Sequence, residues 1–146
     1  DSPSTKDIPN KLLPPVQLVW HAAYESGNGL IDSQHRTLFE QANTLFLAIY
    51  ENSPKEKVSS IVDSLILEIE QHFKDEESMF QRAEHSGWQY HQTIHTRLIK
   101  KAKHLYHSYD KDEIKGEELL HFFLYEMISQ HVLMEDSKYF SSLAHQ

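Results

Sequence analysis

The sequence predicts an all-α fold, an antiparallel up-down four-helix bundle with an extended N-terminal arm. Three observations carry that prediction. Apolar residues recur at helical spacing in four long stretches, the connections between them are short, and glycine is scarce, with 4 in 146 residues. Three of those glycines, Gly27, Gly29 and Gly87, stand at expected breaks between elements.

The length suits one domain with a real core. Residues 1–19 hold Pro3, Pro9, Pro14 and Pro15 among Asp, Ser, Thr and Lys, without periodicity, and read as an arm or linker. Residues 20–146 form the expected folded domain. The chain starts at Asp rather than Met, from which we expect a piece of a longer protein.

Helix A is expected over about 33–52, with Leu38, Ala42, Leu45, Phe46 and Ile49 on one face. Ser53-Pro54-Lys55-Glu56 has the form of a capping box with proline at the first helical position, so helix B starts there. It continues to about 84, with Ile61, Leu65, Ile69, Phe73 and Phe80 inward. Helix C begins near Trp88, after Gly87, and ends near Tyr109; helix D runs over about 113–142.

Bulk properties exclude several function classes. The net charge of -8 argues against nucleic acid. The one basic stretch, Arg97, Lys100, Lys101 and Lys103, reads as a solvated helix face. No apolar run approaches the roughly 18 residues of a membrane span, so this segment is expected not to insert in a membrane. Without cysteine there are no disulfides, thiolate metal sites or iron–sulfur clusters. A reducing cytoplasm fits, and the expected location is cytoplasmic.

Histidine is the unusual component, with 11 in 146 residues. In helix C, Trp88, His95, Ala102 and Tyr109 interleave with His91, Leu98 and Leu105 as two heptad columns, which puts His91 and His95 at core positions. In helix D, Leu120, Met127 and Met134 interleave with Leu124 and His131; in helix B, His72 and Glu76 extend the stripe of Leu65 and Ile69; in helix A, His35 shares a face with Leu38, Ala42 and Phe46. One histidine on an apolar face is ordinarily a core residue bonded to a carbonyl. All four helices carrying one is different, because buried imidazoles and carboxylates with only each other as partners would cost several kcal/mol per unpaired group. A bound metal removes that cost; a bundle without any cofactor is the alternative.

Spacing supports convergence. Residues i and i+4 lie ~40° apart around an α-helix, so His72 and Glu76 can share a centre, as can His91 and His95. On helix D the i+4 partner of His131 is Glu135, whereas Asp136 at i+5 lies ~140° away. Spacing alone favours Glu135.

From Trp20 onward these residues resemble the hemerythrin and bacteriohemerythrin family. The pattern is Trp20, Tyr24, Gly27, Ile31-Asp32, Gln34-His35, then His72-Phe73, Glu76-Glu77 and Met79, then His91 and His95, then His131 and Asp136. The resemblance decides for Asp136. It implies a non-haem di-iron centre in which His91, His95 and His131 bind one iron, His35 and His72 bind the other, and Glu76 and Asp136 bridge them with an oxo or hydroxo group. Such a donor set leaves one position open, on the iron with fewer histidines, for O2. Imidazole-rich ligation suits iron, with zinc and manganese left open by ligand type alone. Gln34 and Asp32 are expected either to support the ligands or to shape the turn before helix A.

The resemblance further implies that Met127, Ile128 and Val132 line the O2 pocket. Family members commonly have Trp where Met127 stands, and Met gives a softer wall. Together with the leader and the non-Met start, this leads us to expect reversible O2 binding in a sensory module, fused to a signalling domain and responding to O2, NO or redox state, small anions being further ligands. The expected protein is not an enzyme. A free-standing O2 carrier or store, and a di-iron peroxidase or oxidase, are the alternatives. His21, His85, His104, His107, His121 and His145 fall outside the motif and are expected mostly at the surface.

Overall fold

The computed structural model describes residues 18–84 and 86–135, the side chains of 133–135 excepted. A 3₁₀ turn (Ala22–Tyr24) precedes α1 (Gly29–Tyr50), α2 (Lys55–Arg82), α3 (Trp88–Asp110) and α4 (Gly116–His121), and α4 runs on without a break as a wider helix, Phe122–Glu135. The described residues contain no strand. Helix α1 packs against α2, α2 against α3, α3 against the fourth helix, and the fourth helix back against α1. That closed cycle of neighbours with short links is the antiparallel four-helix bundle expected. None of these helices is long and apolar enough to cross a membrane.

Capping explains the starts and stops. The Asn28 side chain accepts the Ile31 N–H at 3.0 Å and so caps α1, earlier than the sequence suggested. Gly27 just before it holds a φ of 86°, which favours glycine. The expected capping box does not form. Pro54 is the cap of α2, no side chain bonds there, and the Ser53 N–H instead donates to Ala48 O at 2.8 Å. That bond belongs to the end of α1, where Asn52 adopts a φ of 55° and its N–H donates to Ile49 O. The end of α3 repeats the arrangement, with Asp112 at a φ of 61° and the Asp112 and Glu113 N–H groups donating to Tyr109 O and Ser108 O. Both are Schellman motifs built without glycine.

The main core runs from Val58, Val62, Ala48 and Leu119 through Leu38, Ala42, Leu65 and Ile69 to Phe123, Met127 and Ile128. A small second cluster of Ile31, Met79 and Phe80, with Trp88 against it, closes the other end. Outside the bundle, Asn43 on α1 bonds the backbone of Leu18 twice, at 3.0 and 2.8 Å, and Trp20 packs on Phe39 and Tyr24. Arg97, Lys100, Lys101 and Lys103 are exposed, as expected of a solvated face.

The fourth helix departs from the α geometry assumed for helix D. From Phe122 to Glu135 it is a π-helix, with i→i+5 hydrogen bonds, and the Ser129 hydroxyl likewise donates to Leu124 O five residues back, at 2.9 Å. In such winding residues four and five positions apart both fall close to one face. Phe122, Met127 and Val132, all buried, therefore share a face, as do Phe123 and Ile128. In an α-helix each of those steps would turn ~140°.

Candidate metal centre

Between the two apolar clusters the bundle buries polar groups. His35, His72, Glu76, His91, His95 and His131 are each at most 2% exposed. They come from every helix: His35 from α1, His72 and Glu76 from α2, His91 and His95 from α3, His131 from the π-helix. The i+4 pairs on α2 and α3 face inward together, as expected from spacing.

These side chains form two groups that share one residue. His35, His72 and Glu76 offer ligand atoms within 4.8 Å of one another, and so do Glu76, His91, His95 and His131. The Glu76 carboxylate stands between them. Its Oε2 is 3.3 Å from His72 Nε2, while its Oε1 is 2.8 Å from His91 Nε2 and 3.2 Å from His95 Nε2. His35 Nε2 lies 3.1 Å from His72 Nε2. The His131 ring stands over His95 and His91, with centroids 4.8 and 5.0 Å away. Aromatic rings wedge the imidazoles in place: Phe73 stacks on His95 at 3.7 Å, and Phe80 meets His91 edge-on at 4.9 Å.

Hydrogen bonds behind the rings decide which nitrogens face the centre. The Gln34 amide nitrogen donates to Asp75 Oδ2 at 2.6 Å, which turns its Oε1 toward His72 Nδ1 at 2.9 Å. An amide oxygen only accepts, so Nδ1 of His72 carries the proton and Nε2 presents a lone pair. On the other side, His95 Nδ1 lies 2.7 Å from a Glu77 carboxylate oxygen, which fixes the same tautomer and turns a second lone pair inward. Two imidazole lone pairs thus aim at a buried carboxylate from opposite sides. With neutral rings that arrangement is repulsive in a dry interior, and a proton or a metal ion between them supplies the missing positive charge. The donor set fits a cation, and nitrogen with carboxylate oxygen suits a divalent transition metal.

The structure separates the two residues whose roles the sequence left open. Gln34 supports a candidate ligand, His72. Asp32 shapes the turn, its Oδ1 accepting the Ser26 N–H at 2.7 Å and the Ser26 hydroxyl at 2.8 Å. Met127, Ile128 and Val132 are fully buried in the main core. Asp136 lies outside the described residues, as do His85, His145 and the side chain of Glu135. His21, His104, His107 and His121 are exposed. Sequence reasoning assigned no role to Glu77 or Asp75, whose partners sit on neighbouring helices. Asp75 does carry one local signal, its i+4 spacing from Gln71, whose amide bonds it at 3.0 Å.

Comparison with known proteins agrees with this geometry. Residues 26–143 match the family model for the hemerythrin HHE cation binding domain. A bacteriohemerythrin of Clostridium acetobutylicum is 30% identical over 128 residues, covering 83% of this chain and 97% of that protein. A bacteriohemerythrin of Campylobacter jejuni subsp. jejuni is 29% identical over 111 residues, covering 76% of this chain and 84% of its own. A crystal structure of wild-type hemerythrin has the same fold, with a TM-score of 0.77 and 23% identity over 88% of this chain and 99% of that one. With four histidine-bearing helices converging on one buried carboxylate and a family match across most of its length, this chain belongs to the hemerythrin HHE cation-binding domain family.

Proposed function

We propose that the chain is a non-haem di-iron domain that binds O2 reversibly and serves as an O2 or redox sensor within a larger signalling protein. One observation carries the di-iron reading. Glu76 is fully buried, and its two oxygens face different histidine groups. A carboxylate so placed suits two metals better than one. His35 and His72 hold one iron in this reading, His91, His95 and His131 hold the other, and Glu76 and Asp136 join them. A di-iron pair held by these residues would supply the reducing electrons that reversible O2 binding needs.

The i→i+5 winding of the helix that carries His131 brings positions five apart closer to one face than an α-helix would, which removes the spacing objection to Asp136 as the second shared carboxylate, the choice the family resemblance makes. Met127, Ile128 and Val132, buried and without polar atoms in their side chains, wall the O2 position from water. The softer Met127 wall favours an oxidation-prone oxy form, which suits sensing better than transport. The same apolar surroundings favour binding over turnover.

The test is anaerobic loading with ferrous iron, followed by exposure to air and then to inert gas. About two irons per chain and an oxy absorption that appears and fades with the gas are expected. Near one iron per chain overturns the di-iron reading; sustained turnover with a reductant makes the chain an oxidase or peroxidase instead. Rapid spontaneous decay of the oxy form supports the sensor, and a long-lived one supports a carrier.

A further inference from the structure

We infer that Glu77 and Gln34 are positioning residues that make the two ends of the metal centre unequal, a carboxylate backing His95 and a neutral amide backing His72. The inference rests on the di-iron reading and goes beyond it, because it ranks the two ends.

The geometry on each side is direct. Glu77 Oε2 stands 2.7 Å behind His95 Nδ1, and the Phe73 ring, stacked on the imidazole and parallel to it within 1°, holds its plane. The Glu77 side chain is 18% exposed, at the floor of an open hollow of about 230 Å³ that Glu70, Lys74 and Thr96 also line. Water reaches this carboxylate. Behind His72 the acceptor is the Gln34 amide oxygen at 2.9 Å, and Asp75, itself bonded by Gln71, keeps that amide from flipping.

A charged acceptor draws the Nδ1 proton more strongly than an amide oxygen does. The opposite nitrogen then becomes a better donor to a metal. The end with His91, His95 and His131 therefore has both more imidazoles and the charged support. It holds its metal more tightly and favours the higher oxidation state. The His35 and His72 end is the one that loosens first.

The test uses the full chain loaded anaerobically with ferrous iron, with iron counted at rising chelator and a reductive titration of the oxidised form. The parent is expected to release iron in two steps and to reduce in two steps. Glu77→Gln keeps the hydrogen-bonding shape but removes the charge. Its tight step should weaken about 10–100-fold, and its harder reduction should become easier. Gln34→Leu should weaken only the loose step, and Glu77→Asp should restore part of the tight one. Melting of metal-free Glu77→Gln, which keeps the hydrogen bond and loses only the charge, is expected to match the parent, which a merely structural role would not allow. A parent that never holds two irons overturns the di-iron reading and this inference with it. A parent that holds two but releases them in one step, or Glu77→Gln and Gln34→Leu weakening the same step, overturns this inference alone.

Discussion

The two halves of the bundle are built on the same helices by opposite means. Around Leu45, Ala48, Val58, Val62 and Leu119 the interior is aliphatic, and each buried leucine or valine there stabilises the fold by roughly 1.5–3 kcal/mol. Around Glu76 the interior is imidazole and carboxylate, with lone pairs directed at an anion. The first half draws its stability from apolar burial. The second is held in shape by rings and hydrogen bonds behind the ligands, Phe73, Phe80, Gln34, Asp75 and Glu77, and gains its stability when a cation enters. Function sits where the local chemistry opposes folding.

The largest expected effect tests that contrast at the shared residue. Glu76→Ala removes the carboxylate that faces both histidine groups, so iron should fall from about two per chain to near zero while the metal-free bundle still folds. Retention of one tightly held iron would show that the groups are independent. Asp136→Ala should also lower iron content sharply, and Glu135→Ala should leave it nearly intact; the reverse result would mean that i+4 spacing governs the end of the fourth helix after all.

In the aliphatic half the expected response has another form. Leu45→Ala removes a fully buried side chain, with a loss of about 2–5 kcal/mol by denaturant titration. The loss should be the same with and without iron, and iron content should not change. Ile128→Ala stands at the border between the halves. It should cost about 2–4 kcal/mol, leave both irons in place, and speed decay of the oxy absorption in air. An unchanged decay rate in a variant that keeps its iron would place this face away from the O2 position.

The same division explains what could be read from the sequence. The bundle and the inward faces of α1, α2 and α3 follow from aliphatic periodicity, which burial enforces strictly. The buried histidines were legible because they interrupt that periodicity in register, His95 within the column of Ala102 and His91 within that of Leu98 and Leu105, for example. Three things were not legible. Helix ends on Asn52 and Asp112 depend on a left-handed residue that need not be glycine. The i→i+5 winding after Phe122 is not announced by spacing, because the buried residues there fit steps of four, Leu120, Leu124, Ile128 and Val132, as well as steps of five. The support of His95 by Glu77 joins residues 18 apart in the chain and on different helices, so no local spacing could announce it.

The smallest effect sharpens the comparison through pH. In the aliphatic half, Tyr106 on α3 donates its hydroxyl to Ser59 O at 3.2 Å, and burial pushes its phenol above the ordinary value of 10.0, with Asp63 acting in the same direction. Tyr109, next to it in this half, is raised in the same way by burial, with Lys55 opposing. The folded pKa lies above the unfolded one, so the contribution to stability is intact below about pH 10 and is lost as pH rises through the folded value. Tyr106→Phe should cost about 0.5–1.5 kcal/mol near neutral pH, from the missing hydrogen bond. Above pH 10 the gap to the parent should narrow, because the variant has no phenol there to ionise. Iron content should be unaffected throughout, since the residue lies outside both histidine groups. Chemical denaturation of the metal-free protein between pH 8 and 11 measures this, and a constant gap would mean that Tyr106 does not titrate with folding.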